Sequence, residues 1–404
     1  MASIQTGHTR PGEDSNRRAR ATDRTKARRG GIIFVLPGLG AGGAERVVNI
    51  IANELAARGR TVSVIAFEEP DAPSYYDYAA GVSLVRLGLP ARRQPWPFGG
   101  LASVARVVRL RRAMATIEPD SVVSFLTRTN VLALLATIGT DIPVIVSERN
   151  NPRLQDFGHV WGWLRARVYR RAFGLVTMTQ GAMDCFPPAM RRRQWIIPNP
   201  AMTAAHVPVS GDTTKWLVAV GRLVPQKGFD LLLQTFARIA PAFPDWELVI
   251  WGEGPERGAL EATARELDID RRVLLPGVSA NPGAWMALGD LFVMSSRFEG
   301  WGNALLEALA AGMPAIAFDC PWGPGQMIEH GVNGMLVPSD NVEAMAQGLA
   351  ALMRDPALRA RLGDTARQSM GKFATANVVT AWEAVIDESI AARSDYTARR
   401  PVTS

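Results

Sequence analysis

Cysteine, histidine and long apolar runs are all scarce in this chain of 404 residues, and each shortage excludes something. The two cysteines, Cys185 and Cys320, both in apolar contexts, supply neither a disulfide framework nor a cysteine-based metal site. They fit a reducing, cytoplasmic compartment. The longest apolar stretch, near Val131 to Gly139, is closed by Asp141 and Pro143 and falls short of the ~20 residues a spanning helix needs. If a membrane is involved, the protein lies on it. Signatures of RNA or DNA modules are missing, and the basic groups lack the aromatic interleaving of a single-strand platform, so no nucleic-acid partner is expected. Residues 1–30, Arg-rich and without an apolar run, suit a disordered basic tail better than a signal peptide.

What is present suits two hydrophobic cores: 47% hydrophobic and 21% charged residues over this length. Charge is unevenly shared. The overall +7 divides into a basic first half and an acidic remainder, with 17 Lys and Arg against 23 acids after residue 200. Two segments concentrate the positive charge: the helical pattern ending at Ala115, with Arg106, Arg109 and Arg112 every third residue, and HVWGWLRARVYRRAF, with Trp161, Leu164 and Val168 on one side. Such basic, Trp-bearing helices suit an anionic membrane surface; packing on their own domain with a solvated basic face is the alternative.

GIIFVLPGLGAGGAERVVNIIANELAARGRTVSVIAF reads as strand, glycine loop, helix and β-branched strand, a βαβ unit. Gly38, Gly40 and Gly43 satisfy G-x-G-x-x-G and Glu68 or Glu69 follows the second strand, so an NAD(P)-dependent oxidoreductase using the Gly38–Gly43 loop is an open alternative. PVIVSERNNP brings Glu148 and Arg149 to a carboxyl strand end, where they can meet an acceptor. Prolines and Gly211 mark a linker over 201–214, after which KWLVAVGRLVPQKGFDLLLQTF restarts the strand, loop and helix pattern. Its loop holds Arg222 and Lys227, cations able to meet a diphosphate. Asp268 and Asp270 imitate a metal-binding DxD but sit in a turn beside Arg271 and Arg272.

Residues 295–325, SSRFEGWGNALLEALAAGMPAIAFDCPWGPG, follow the buried LFVM strand with a glycine turn, a short helix begun at Gly302 or Asn303 and stopped by Gly312 and Pro314, and another strand. The first helical amides make an anion site. Glu299 and Glu307 flank it; carboxylates repel diphosphate but accept hydrogen bonds from hydroxyls, so a sugar joined to a phosphate suits the place. Spacing alone decides nothing, because Glu253 and Glu261 are also eight apart and read as a surface helix start.

In this setting the chain resembles the retaining glycosyltransferases of family 4, whose signature is a Glu, seven residues and a Glu. SRFEGWGNALLEALAAGMP and FDCPWGPG are similar to the bacterial branch acting on lipid-linked saccharides. The resemblance covers about residues 31–390. It implies an α/β GT-B fold of two doubly wound Rossmann-like domains facing across a cleft: an acceptor domain over 31–200, a nucleotide-sugar donor domain over 215–375, and a terminal helix over 376–392 crossing back. It further implies a UDP-linked hexose or N-acetylhexosamine donor, a saccharide or polyprenyl-diphosphate-linked acceptor, no cofactor and no metal. By the same resemblance Glu299, Arg222 and Lys227 are catalytic, while Glu307, Gly302, Asn303, Ala304, Val278, Gly42 and Gly43 bind the donor. Many members carry a His near Arg149; here none of His8, His159, His206 and His330 stands there. The enzyme is expected on the inner face of the cell membrane.

Overall fold

The computed structural model describes residues 31–90, 98–154, 158–201, 214–279, 283–287 and 289–398. The basic tail and most of the linker lie outside them. In the first half, β1 (Ile32–Leu36), β2 (Val62–Ala66), β3 (Val82–Arg86), β4 (Ser121–Phe125), β5 (Val144–Ser147), β6 (Gly174–Thr177) and β7 (Gln194–Ile196) form one parallel sheet, ordered β3-β2-β1-β4-β5-β6-β7. In the second, β8 (Lys215–Val220), β9 (Trp246–Trp251), β10 (Val273–Gly277), β11 (Leu291–Met294), β12 (Ala315–Asp319) and β13 (Met335–Pro338) form another, ordered β10-β9-β8-β11-β12-β13. Helices cover both sheets, so central strands such as β1 and β4 are buried along their whole length and read as unbroken apolar runs.

Each sheet reverses its strand order once, between β1 and β4 and between β8 and β11. Carboxyl strand ends at such a switch point open a crevice. Here the two crevices share one cleft of about 700 Å³.

Among the helices are α1 (Gly43–Ala57), α2 (Phe98–Ile117), α3 (Thr127–Ala136), α4 (His159–Val168), α5 (Phe229–Ile239), α6 (Asn303–Ala311) and α7 (Thr375–Ala398); of these, α1 and α6 contribute residues to the cleft lining. α1 buries Val47, Val48, Ile51 and Leu55 against the first sheet, and α5 buries Leu232, Leu233 and Phe236 against the second. After the second domain the chain returns: Ala201 N–H donates to Phe373 C=O at 2.8 Å, and α7 then crosses to the first sheet. Its Val378, Val379, Trp382, Val385 and Ile386 join that core, with the Trp382 ring 5.6 Å from Phe125.

Three arginines of α2 also serve loop carbonyls, while Arg109, Arg111 and Arg112 stay exposed. Arg106 donates to Leu89 C=O at 3.0 Å, Arg109 to Leu87 C=O at 2.6 Å and Arg111 to Ile138 C=O at 2.6 Å. Carbonyls at loop ends need donors, and these long side chains supply them. Asp268 adopts a left-handed turn (φ 55°), and the neighbouring Arg272 binds the Ala240, Phe243 and Trp246 carbonyls. That DxD is a structural corner.

Candidate active site

The second-domain wall is built from two loops at the switch point. Lys227 lies in the loop after β8, and its Nζ meets Glu299 Oε1 at 2.5 Å; Ser296 Oγ donates to the same oxygen at 2.7 Å. Glu299 is thus a buried, oriented acceptor. Arg222, on the same loop, lines the cleft exposed, and its guanidinium has no hydrogen-bond or ion-pair partner among the described residues. α6 starts at Gly302, whose φ of 97° suits glycine, and no side chain caps it. Its first amides therefore face the cleft with Gly302, Asn303 and Ala304. Gly300 is obligatory for another reason: a Cβ there would stand 2.4 Å from Arg149 C=O, across the domain boundary.

The first-domain wall carries Gly42, Gly43, Arg46, Tyr75, Arg149 and Asn199. Arg149 is fully enclosed. Its Nε donates to Ser147 Oγ at 2.7 Å and its Nη1 to Asn199 Oδ1 at 2.9 Å, its guanidinium lies over Phe125 and Trp382, and Nη2 has no hydrogen-bond partner among the described residues. Burial pulls its pKa down to about 9, which still leaves it cationic at neutral pH.

Contacts cross between the walls. Arg46 Nη1 reaches Glu307 Oε1 at 2.6 Å, Tyr75 OH donates to Ser279 C=O at 2.6 Å, and Asn303 Nδ2 donates to Gly43 C=O at 3.2 Å. Asn199 Nδ2 also donates to Asn303 Oδ1. Burial pushes the Glu307 carboxyl up to about 7, with Arg46 opposing the rise. Val278 lies half-exposed in the same cleft, whose lining also includes Trp251 and Trp285.

The structure thus gathers Arg222, Lys227, Glu299, Gly302, Asn303, Ala304, Glu307, Val278, Gly42, Gly43 and Arg149 around one cleft. Glu148 is the exception and needs correction. It is 3% exposed, accepts from Thr127 Oγ1 at 2.7 Å and from Tyr169 OH, and is absent from the cleft lining. Neighbouring residues in extended chain point to opposite sides, so when Arg149 enters the cleft Glu148 enters the domain. Glu68 is also committed inside the protein: it accepts Leu39 N–H at 2.8 Å and packs on Gly38, where a dinucleotide-binding domain would keep its acid for ribose. Among the described residues no group of three His, Cys, Asp or Glu is placed to hold a metal.

Sequence reasoning passed over Arg46, Tyr75 and Asn199. For Arg46 a signal existed: a cation in the first turn of a helix opposes the dipole and calls for a carboxylate partner. Tyr75 and Asn199 carry no such mark. Chemically, the site offers cations and helix amides for a diphosphate, with two fixed carboxylates for hydroxyls.

Comparison with known proteins agrees with this geometry. Residues 205–369 match the family model described as glycosyl transferases group 1, and residues 42–200 match the glycosyl transferase 4-like domain. An exopolysaccharide phosphotransferase of Streptomyces coelicolor is 30% identical over 71% of this chain, which spans only 30% of that relative. The N-acetylgalactosamine-N,N'-diacetylbacillosaminyl-diphospho-undecaprenol 4-alpha-N-acetylgalactosaminyltransferase of Campylobacter jejuni is 26% identical over 80% of this chain and 89% of its own. Anabaena HepE, solved with UDP and glucose, superposes with a TM-score of 0.73 at 19% identity, over 88% of this chain and 99% of that one.

Proposed function

The chain belongs to the two-domain group 1 glycosyltransferases, with the GT-B fold, and we propose that it transfers a hexose or N-acetylhexosamine from a UDP-linked donor to a saccharide, with retention of anomeric configuration. One observation carries this: the exposed Arg222 guanidinium, the Lys227–Glu299 pair and the uncapped end of α6 converge on a single cleft. In the proposed reaction the bond from the donor's anomeric carbon to the diphosphate breaks, and the acceptor oxygen bonds to that carbon on the same face. The acceptor proton passes to the departing phosphate. Arg222, Lys227 and the amides of α6 take up the developing negative charge, Glu299 holds the sugar, and Glu307 the ribose; no metal is called for.

The name of the Campylobacter relative contains diphospho-undecaprenol, and HepE was solved with UDP, which supports a lipid-linked acceptor and a UDP donor here in polysaccharide or glycan assembly. A membrane-surface location is part of the proposal. Its support is an exposed apolar set on two helices of the acceptor domain: Leu101 and Val104 on α2, Val160 and Trp163 on α4. No described helix is long and apolar enough to cross a membrane.

The test is a thermal-shift series in EDTA with UDP, GDP and NAD. Saturation at about 100 times the dissociation constant adds ~2.7 kcal/mol of stability. A UDP shift is expected, lost in Arg222→Ala, and Glu299→Gln should slow transfer on the order of 10²-fold. An NAD shift without one from UDP would refute the assignment.

A further inference from the structure

We propose that Arg46 is a positioning residue of the donor site: it reaches across from the acceptor domain to hold the Glu307 carboxylate as a charged, oriented acceptor for the donor's ribose hydroxyls. The assignment rests on Glu307 being the ribose acceptor, as proposed above.

The geometry is specific. Arg46 and Glu307 lie on opposite walls, meet at 2.6 Å, and expose only 10% and 7% of their side chains. Both are costly where they stand. Arg46 occupies the first turn of α1, the positive end of a helix, and Glu307 is enclosed in the second turn of α6. An enclosed carboxyl without a cation favours its neutral form, which donates one hydrogen bond and accepts poorly from two vicinal hydroxyls.

Among the described residues the titratable groups about Glu307 come from α1 and the segment after β2, and Glu45, beside Arg46 on α1, borders the same cleft with its own pKa raised by burial. Arg46 comes from α1, and Tyr75 and Tyr76 from the segment after β2. Both phenols are raised by burial and stay neutral in the physiological range. Arg46 is therefore the cation that keeps Glu307 near 7. Because the two residues sit in different domains, the ribose site is built from both walls at once. Tyr75 and Asn303 bridge the same walls.

The experiment measures UDP dissociation constants and donor kinetics for the wild type, Arg46→Met, Arg46→Lys, Glu307→Gln and the Arg46→Met/Glu307→Gln double variant, from pH 6.5 to 9.5. At pH 8 Arg46→Met should weaken UDP binding and raise donor KM about tenfold, the effect of moving a carboxyl pKa one unit above the assay pH. The loss should shrink toward pH 9.5 as Glu307 ionises. kcat should change much less, and Arg46→Lys should recover most of the affinity. In the Glu307→Gln background, removal of Arg46 should add little, because its effect passes through the missing carboxylate. A loss that is uniform across pH and additive with Glu307→Gln would mean that Arg46 merely holds the fold; unchanged UDP binding in Arg46→Met would also overturn the proposal. Failure of the wild type to bind UDP would instead remove the donor assignment itself, and this one with it.

Discussion

Glu148 and Arg149 are neighbours with opposite surroundings. Both are buried, but Arg149 faces the cleft and Glu148 a polar nest of Thr127 and Tyr169 inside the first domain. Burial raises the Glu148 pKa above its ordinary 4.5 despite those hydrogen bonds. The neutral form is therefore favoured on folding: its contribution is full below pH 4.5 and is lost as pH rises through the folded-state value. Glu148→Gln, neutral at every pH, should gain on the wild type as pH increases. Urea midpoints at pH 4.5 and 8 check this; the same difference at both would show that Glu148 is not neutralised by burial. The residue scale also shows why spacing misleads. Glu253 and Glu261 share the eight-residue interval of Glu299 and Glu307, yet both pair with Arg257, at 2.5 and 3.1 Å, Glu253 from the loop at the cleft's edge and Glu261 from the helix Arg257–Glu266. What separates the two pairs is burial: Glu299 and Glu307 are enclosed, whereas Glu253, although it borders the cleft, and Glu261 stay half-exposed.

At the scale of elements, local chemistry was largely legible. The start of α6 at Gly302 and its end at Gly312, left-handed at φ 83°, follow from glycine's freedom and were visible beforehand. α7 is different, because its partners belong to a sheet assembled some 200 residues earlier, and an amphipathic pattern does not name the surface it will cover. Trp382 anchors it, fully buried beside Phe125 and under the Arg149 guanidinium. Trp382→Ala should therefore cost about 3–5 kcal/mol of stability, as large core truncations do, and should loosen Arg149 at the cleft wall. Denaturant titration measures the first effect; a cost below ~1 kcal/mol would show that the returning helix is only loosely docked.

For the whole molecule, the basic first half behaves less simply than its net charge suggests. Arg106, Arg109 and Arg111 serve loop carbonyls, but Arg109 and Arg111 stay exposed, so with Arg112, Arg167, Arg170 and Arg171 they carry the exposed positive charge of this part of the first domain. Each such cation contributes about 1 kcal/mol at an anionic surface. Co-sedimentation with phosphatidylglycerol vesicles is expected, weaker in high salt, and reduced about tenfold by combining Leu101→Ser with Trp163→Ser. Equal binding to neutral vesicles, or none to anionic ones, would remove the membrane from the proposal.

The sequence by itself determined the parallel strands, the glycine turns, the cation pair of the β8 loop and the Glu299–Glu307 helix. These depend on interactions within a few residues, where periodicity, caps and breakers act. Only the tertiary structure decided which of those groups meet. Asn303 and Gly43, 260 residues apart, touch across the cleft, as do Arg46 and Glu307. The fates of Glu148 and of the α2 arginines were settled in the same way. Electrostatics and burial depend on distance in space, and two domains closing on each other create distances that no local pattern encodes.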